Sequence, residues 1–439
     1  MKSSGIDWIK DIPSSWEINK VKYLATEPGT LFLDGDWIES DVIEESGIRY
    51  LTTGNVGAGF YKEQGSGYIS EKTFSELHCL NVYPGDLMIS RLNEPIGRSC
   101  IIPDTESRYV VAVDNVVLRP NANYNKKFIM YGMNADGYAE HANMIARGAT
   151  MSRISRSQLG QFWLAFPNIE EQQAIADFLD KECAQIDSIA ADLEKQIALL
   201  QQYKKSLITE TVTKGLDKSV PMKDSGVEFF GKIPAHWKVS KTKYVADISI
   251  GLVTTMTANY VDEDGVPLIR NSNIRTNHID DNGMVYLSKE FAKANIGRAL
   301  HKGDIVTVHT GDVGTSAIIN ETYHMSHGFA TIISRLKTKT VNNQFLCWLY
   351  NSEIFKEMSI AYSTGDGRQN LNLYDFVDFY ILIPTLKEQM EIVNWLNLKC
   401  TEIDNFIENK QQQLLLIQQH KKSLIYEYVT GKKRVKEVQ

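Results

Sequence analysis

Short polar loops in this 439-residue chain combine residue types that suit hydrogen bonding to the edges of nucleic-acid bases. Residues 52–56 (TTGNV) and 90–94 (SRLNE) follow strand-like runs in the first half, as residues 270–274 (RNSNI) and 309–312 (HTGD) do in the second. Arg, Asn, Gln, Ser and Thr pair with base edges, and glycine lets the backbone approach a phosphate. Because Gly, Asn and Ser are also the usual turn residues, the loops are equally open to interpretation as ordinary polar turns.

The chain carries none of the usual catalytic signatures. It has no G-x4-G-K-[ST] phosphate loop, no H-E-x-x-H metal pair, no G-x-S-x-G elbow and no adenine methyltransferase motif of the NPPF or DPPY kind. The histidines His301, His309, His324 and His327 form a local cluster, whose spacing favours loop histidines over metal ligands. A stand-alone enzyme with an unfamiliar active site therefore has no motif in its favour.

Charge and composition indicate a soluble globular chain. The net charge is −7 and hydrophobic residues make up 43% of the sequence, enough for sizeable cores. No run approaches eighteen apolar residues and the N-terminus lacks an apolar signal core, so we expect no membrane span, no export and a cytoplasmic location. The acidic balance opposes nucleic-acid binding at first sight. However, 13 of the 14 arginines lie in residues 24–166 and 245–383, where they can form a local basic face.

The cysteines predict reduced thiols rather than a disulfide framework or a zinc site. There are five, an odd number, and no two are spaced as C-x2-C. Cys183 and Cys400 occupy equivalent places in an internal repeat, at helical core spacing, so we expect both to be buried as small apolar residues.

That internal repeat sets the organisation of the chain. Residues 167–214 recur at 384–431 without a gap, with 20 identities in 48 positions that include KKSLI. A shorter repeat, 4–23, recurs at 225–244. Between the copies lie long segments that differ in sequence but share certain residues in the same order, such as Asn55 and Asn273. The layout is therefore A–B–A′–B′, with one fold present twice.

The repeated 48-residue segments predict helices. After Pro167 and Pro384 we expect short helices over about 170–182 and 387–399, and longer ones over about 185–213 and 402–430. Apolar residues recur three and four apart along the longer helices, which is typical of an a/d seam for a partner helix. The expected seam residues are Ile186, Ile189, Leu193, Gln196, Leu200, Tyr203 and Leu207, with Ile403, Phe406, Lys410, Gln413, Ile417, His420 and Leu424 in the second copy.

The simplest partner for each long helix is the other copy, packed antiparallel around an approximate twofold axis. Gln196 and Gln413 would then lie near that axis and set the register. Two unconnected amphipathic helices on separate cores are the alternative.

The segments between the helices predict mixed α/β structure. Strand-like runs cover 86–90, 109–118, 304–308, 316–319 and 331–336, and helical runs cover 127–134 and 343–358. The expected fold class is α+β, with two mixed α/β domains related by pseudo-twofold symmetry and joined by two long antiparallel coiled-coil helices. We place the boundaries at 1–166, 167–224, 225–383 and 384–439.

The repeated motifs resemble those of the DNA-specificity (S) subunit of type I restriction–modification systems, over essentially the whole chain. Both copies carry E-Q-x2-I, then I-D, then a long helix that ends in KKSLI-x-E-x-V-T, and both domains are entered through I-P-x-x-W. The matching residues are Glu171, Gln172, Ile175, Leu179, Ile186, Asp187, 204–213, Glu388, Gln389, Ile392, Leu396, Ile403, Asp404, 421–430, Ile12, Pro13, Trp16, Ile233, Pro234 and Trp237.

The resemblance implies a non-catalytic subunit in a bacterial or archaeal cell. Each α/β domain would be a target-recognition domain for one half of a bipartite site in double-stranded DNA, and the helices would set the spacing. Two methylation subunits that bind S-adenosylmethionine, and restriction subunits that use ATP and Mg²⁺, would be the partners, while this chain would bind no cofactor or metal. A helix of 28 residues is about 42 Å long, comparable to one DNA turn of about 34–36 Å.

On this resemblance we nominate polar side chains of the loops described above, and of a third pair of loops at 147–153 and 365–370, as DNA contacts. They are Asn55, Arg91, Asn93, Arg98, Arg147, Arg153, Arg270, Asn271, Asn273, His309, Thr310, Arg368 and Gln369. A helical scaffold or decoy, whose long segments bind protein rather than DNA, is the alternative function.

Overall fold

The computed structural model describes residues 1–65, 67–92, 95–146, 152–254, 256–262, 264–365 and 367–435. Its contacts divide the chain into two compact units. Unit 1 comprises residues 1–193 and 412–439, and unit 2 comprises residues 194–411. Each unit therefore holds one α/β domain together with a portion of both long helices. The four boundaries proposed from the sequence stay a prediction, because the packing groups the helices with the domains.

Each repeated segment forms one continuous helix rather than the expected short and long pair. The first long helix is Ile169–Lys214, and the second long helix is Leu386–Val429. The expected breaks near 183–185 and 400–402 contain no proline or glycine, so nothing interrupts the hydrogen-bond ladder there. With 46 and 44 residues, the helices are about 69 Å and 66 Å long. Both are longer than the 28-residue helix of about 42 Å expected from the sequence.

The seam on these helices is only half as predicted. The members spaced seven residues apart, Ile186, Leu193, Leu200, Leu207, Ile403, Ile417 and Leu424, are buried or half-buried. The members between them are wrong: Ile189 is 48% exposed, Phe406 is 58% exposed, and Gln196 and Gln413 are also exposed. The helices bury the next residue along instead, at 190, 197, 407 and 414. On a helix, the residues three and four positions after a buried residue both lie close to the same face. Here it is the residue four positions later that packs inward.

Ion pairs between the two copies show how the helices run. In unit 2 Lys204 Nζ lies 2.6 Å from Asp404 Oδ2, and in unit 1 Lys421 Nζ lies 2.6 Å from Asp187 Oδ1. Also in unit 1, the ring of Phe178 packs on that of Tyr428. Within unit 1, the later of these two positions on the first helix contacts the earlier one on the second helix. The two helix segments of unit 1 are therefore antiparallel. The repeated I-D and KKSLI motifs meet across copies.

The α/β domain of unit 1 is built on an antiparallel four-stranded sheet and a smaller mixed sheet. In spatial order the strands are Leu31–Asp34, Asn115–Arg119, Leu87–Ser90 and Ser99–Ile101, then Tyr68–Ile69, Ile48–Leu51 and Tyr109–Val111. Two ribbons pair Lys2–Ser3 with Asp11–Ile12 and Glu17–Lys20 with Trp163–Phe166. The helices are Glu71–Glu76, Lys126–Met133, Asp136–Ile145 and Arg156–Leu159.

The α/β domain of unit 2 repeats this plan. Its sheets run Ala246–Ile250, Thr331–Leu336, Ile305–Val308 and Ser316–Ile318, then Tyr260–Val261, Val285–Leu287, Val266–Arg270 and His327–Phe329. Ribbons pair Met222–Asp224 with Lys232–Pro234, Lys238–Lys241 with Tyr380–Ile383, Ile274–Arg275 with His278–Ile279, and Ser363–Thr364 with Asn370–Leu371. The helices are Thr242–Val245, Lys289–Ala294, Asn343–Tyr350, Glu353–Ala361 and Leu373–Phe376.

The expectation of two mixed α/β domains with long, packed helices is confirmed, with two local corrections. The run 109–118 is two strands separated by a turn, and the run 343–358 is two helices. The second break has a clear cause. Asn351 turns its amide onto the backbone of Ser316, and the Ser352 hydroxyl caps a new helix by accepting from the Phe355 amide.

Buried glutamines attach the start of each long helix to its domain. The side chain of Gln172 accepts from the Asn125 amide at 2.8 Å and donates to two backbone carbonyls. Gln389 accepts from the Asn342 amide at 2.7 Å and donates to the two equivalent carbonyls. The glutamine of the repeated E-Q motif thus belongs to the frame.

All five cysteines are free and buried. Burial raises the pKa of the Cys100 thiol to about 12 and those of Cys79 and Cys400 to about 11. The prediction that Cys183 and Cys400 are buried apolar residues is confirmed. Across the described ranges, the protein has no helix that is both long enough and apolar enough to cross a membrane.

Candidate nucleic-acid interface

Each domain brings three polar loops together, which we name loops A, B and C. Loop A is 52–64 in unit 1 and 270–282 in unit 2, and loop B is 91–98 and 309–315. Loop C is 147–153, of which residues 152 and 153 are described, and 365–370, described without residue 366. Loops A and B each follow a strand of a sheet.

In unit 2 the three loops are joined by hydrogen bonds. The His309 amide of loop B donates to Asn271 Oδ1 of loop A at 3.2 Å. The Thr310 hydroxyl donates to Asn370 Oδ1 of loop C at 3.1 Å, and the next amide donates to the Gln369 carbonyl at 3.0 Å. The structure therefore gathers four nominated residues, Asn271, His309, Thr310 and Gln369, in one place.

This cluster is polar, and its histidine is neutral. His309 is half-buried, and burial lowers the pKa of its imidazole, so the ring is uncharged near pH 7. Its Nδ1 lies 2.8 Å from the Thr310 hydroxyl. A neutral imidazole suits a hydrogen bond to a base edge better than an ion pair with a phosphate. Arg368, which is exposed, supplies a cation beside it.

In unit 1 loops B and C meet in the same way. Leu92 and Arg153 are bridged, and the Ile154 amide donates to the Arg91 carbonyl at 3.1 Å. This matches the Thr310–Asn370 bridge of unit 2. Arg153 is exposed, so its guanidinium can reach a ligand.

Arg91 is not presented as a free guanidinium. Its Nη2 donates to the Val113 carbonyl at 2.6 Å, and it lies 3.6 Å from Asp114 and 3.5 Å from Asp34. The two carboxylates neutralise its charge. Contact with a base would require Arg91 to exchange these partners.

Arg98, which we predicted to contact a base, is buried and bonded within the domain. Its side chain is 8% exposed, and its guanidinium donates to four backbone carbonyls. Two belong to loop A, Thr53 at 2.9 Å and Val56 at 2.7 Å, and two belong to loop B, Leu92 at 2.9 Å and Pro95 at 3.1 Å. Arg98 therefore ties loop A to loop B.

Asn55 and Asn273, which we also predicted to contact bases, are buried, and their side-chain amides are bonded within loop A. Asn55 accepts from the Thr52 amide at 2.8 Å and donates to the carbonyls of residues 62 and 64 at 3.0 and 2.9 Å. Asn273 accepts from the Arg270 amide at 3.1 Å and donates to the carbonyls of residues 280 and 282 at 3.0 and 3.3 Å. Their recurrence as a landmark in otherwise different segments was a signal for a role in the frame.

The remaining nominated residues divide into two groups. Arg270 is half-buried and its guanidinium donates to the Gly283 carbonyl. Asn93 and Arg147 lie outside the described residues. Within the described ranges, no group of side chains could hold a metal ion.

The nominations missed the tips of loop A. Phe60 in unit 1 and Arg275, Thr276 and His278 in unit 2 are exposed there. No motif in the sequence marked these residues, because side chains at a turn differ between the two copies.

Comparison with protein families gives one match, which occurs twice. The family model described as "Type I restriction modification DNA specificity domain" matches residues 16–199 and again 234–419. Similar curated proteins include the EcoBI specificity subunit of Escherichia coli, 26% identical over 62% of this chain and 58% of that protein. The chain thus spans less than two thirds of that relative. The putative MjaX specificity subunit of Methanocaldococcus jannaschii is 26% identical over 84% of this chain and 83% of that protein.

Solved structures share the fold. One, from work on complex assembly and conformational transition of the type I R-M system, has a TM-score of 0.73 at 13% identity and covers 96% of this chain and all of its own. The HsdS subunit of Thermoanaerobacter tengcongensis has a TM-score of 0.55 at 12% identity, covering 96% of this chain and 98% of its own.

Proposed function

The chain belongs to the type I restriction–modification DNA specificity family, and we propose that it is the subunit that selects the DNA sequence. Each α/β domain reads one half of a bipartite site in double-stranded DNA. The observation that carries this proposal is the recurrence of one three-loop arrangement in both units with different exposed side chains.

The difference between the two loop clusters supports half-sites of different sequence. Where unit 1 presents Leu92 and Arg153, unit 2 presents Thr310 and Asn370. Arginine pairs with guanine, whereas asparagine pairs with adenine and threonine contacts several bases. Arg153, His309, Thr310, Arg368 and Gln369 are our remaining candidates for direct contact.

The long helices are proposed to set the spacing of the half-sites and to dock the partners. Outside the seam they expose large apolar side chains, including Leu199 and Tyr203 on the first helix and Phe406 and Leu416 on the second. Apolar surface on otherwise charged helices favours protein binding. We assign it to two methylation subunits, which would bring S-adenosylmethionine, and place restriction subunits with ATP and Mg²⁺ in the larger complex.

The chain itself is proposed to perform no chemistry. The relatives are named as specificity subunits of type I restriction enzymes, which agrees with the lack of catalytic motifs. The pure chain should transfer no methyl group and cut no DNA. Activity in the pure chain would favour the stand-alone enzyme instead.

The test is sequence selection by the complex with its methylation subunit. Binding to a randomised pool of duplexes should enrich a site with two short specified blocks, and methylome sequencing with and without this gene should find the same site. A complex that enriches no sequence would favour the scaffold or decoy alternative. Exchanging residues 24–166 for the matching segment of a relative should change one block only.

A further inference from the structure

We propose that Asn55 and Asn273 are positioning residues for half-site recognition, each acting on one half-site only. The inference rests on the proposed function and goes beyond it. It assigns recognition to loop geometry fixed by a buried amide, in addition to the side chains that touch the bases.

Each asparagine closes loop A with one set of three hydrogen bonds. The side-chain oxygen accepts from the backbone amide three residues earlier, which holds the helical turns Thr53–Asn55 and Asn271–Asn273. The side-chain nitrogen donates to carbonyls seven and nine residues later, which holds the second half of the loop in place. The exposed fractions are 1% for Asn55 and 0% for Asn273, so water cannot replace these bonds without opening the loop.

Closure of loop A is transmitted to loop B. In unit 1 Arg98 bonds to carbonyls on either side of Asn55 and to carbonyls of loop B. In unit 2 Asn271, two residues before Asn273, accepts from the His309 amide. If the asparagine is replaced, loop A moves. The residues of loop B that are our candidates for base contact then change position as well.

The far side of loop A is attached to the sheet. The Gly59 amide donates to the Ser99 carbonyl at 3.0 Å, and the Asn277 amide donates to the Ser316 carbonyl at 2.9 Å. Close to this second attachment, the tip of loop A exposes Phe60 in unit 1 and Arg275 in unit 2. The asparagine therefore determines where a variable tip is held without itself contacting a ligand.

The experiment compares N55A and N273A, each in the full complex with the methylation subunit. Binding is measured on duplexes that carry single base changes in each half-site. N55A should lower discrimination about tenfold or more in the half-site read by unit 1 and leave the other half-site as in the wild type. N273A should do the reverse.

Matched controls remove a different buried amide from the same unit. Gln172 and Gln389 also make three hydrogen bonds and are as deeply buried, but they lie at the helix starts. Q172A and Q389A should lower the unfolding temperature and leave base discrimination unchanged. If they reduce discrimination as much as the asparagine variants do, loss of stability explains the effect and the inference is overturned.

Isosteric variants test the same hydrogen bonds without leaving a cavity. N55D and N273D keep the acceptor oxygen but lose the donor and place a carboxylate against two carbonyls. They should show the same one-sided loss while the complex stays assembled. Equal loss at both half-sites, or wild-type discrimination in folded variants, overturns the inference alone. A wild-type complex without sequence preference overturns the proposed function.

Discussion

In unit 1 a buried guanidinium ties loop A to loop B, whereas in unit 2 one backbone amide bonded to an asparagine side chain joins them. Arg98 uses four carbonyls for this purpose, two on each loop. The equivalent position in unit 2 is Thr315, which bonds to Asp312 within loop B. The comparison teaches that the two domains keep the same loops but connect them by different chemistry.

Beneath the loops the two units agree closely. Arg119 is bonded to Asp86 at 2.9 Å in unit 1, and Arg335 is bonded to Asp304 at 2.8 Å in unit 2. In both cases the hydrogen bond raises the pKa of the arginine, opposed in part by burial. The frame is therefore preserved even where the sequences of the two copies differ.

The largest effect should come from Arg98→Ala. It leaves up to four carbonyls of loops A and B without a donor and should lower the free energy of unfolding of unit 1 by about 3 kcal/mol. Thr315→Ala at the equivalent position should cost about 1 kcal/mol in unit 2. Urea unfolding followed by hydrogen exchange separates the two units. Equal costs would contradict the difference described here.

A second prediction concerns the helix seam, where unit 2 has Ile407 and unit 1 has Ala190. Ile407→Ala, which introduces unit 1's residue, should cost about 2 kcal/mol because the Ile407 side chain is half-buried. Phe406→Ala, next to it but exposed, should cost less than about 0.5 kcal/mol in the free chain. Thermal unfolding checks both. A larger cost for Phe406 would restore the seam predicted from the sequence.

A third prediction tests the ion pairs between copies. Lys204→Glu should cost about 1 kcal/mol, because it places two acids together at a partly exposed site. Adding Asp404→Lys should restore stability, whereas adding Asp187→Lys in unit 1 should not. A double-mutant cycle in chemical denaturation measures the coupling. Rescue by Asp187→Lys would contradict the assignment of the pairs.

The smallest effect is a pH dependence confined to unit 2. His327 is fully buried, neither ring nitrogen has a partner in good geometry, and burial lowers its pKa despite the nearby backbone of Ala292 and Arg298. Below pH 6.5 the unfolded chain takes up a proton that the folded state refuses, so stability falls as pH falls, by at most about 0.8 kcal/mol at pH 6.

His327→Phe should remove the contribution of His327, and His309, whose pKa burial also lowers, should supply a remaining dependence of the same sign. The three histidines of unit 1, at 78, 141 and 420, are exposed or half-exposed and lack such an environment. Unfolding of the wild type and the variant between pH 5 and 7.5 gives the difference. An unchanged slope in the variant would assign the pH dependence to other groups.

The sequence was sufficient for the architecture but not for the details of the site. Repetition and periodicity predicted the domains and the helices, because burial of an apolar stripe is a property of spacing. The role of Arg98 could not be predicted, since its side chain is buried against the carbonyls of Thr53 and Val56, more than forty positions away in the sequence. Proximity of Thr310 to Asn370, sixty residues apart, likewise depends on the sheet.

The crossed ion pairs have an evolutionary consequence. Because Lys204 meets Asp404 and Lys421 meets Asp187, each copy of the duplicated segment supplies a partner for the other copy in both of these pairs. A substitution at one of these four positions therefore alters a contact with the other copy, some two hundred residues away, so the two duplicates are coupled at these positions.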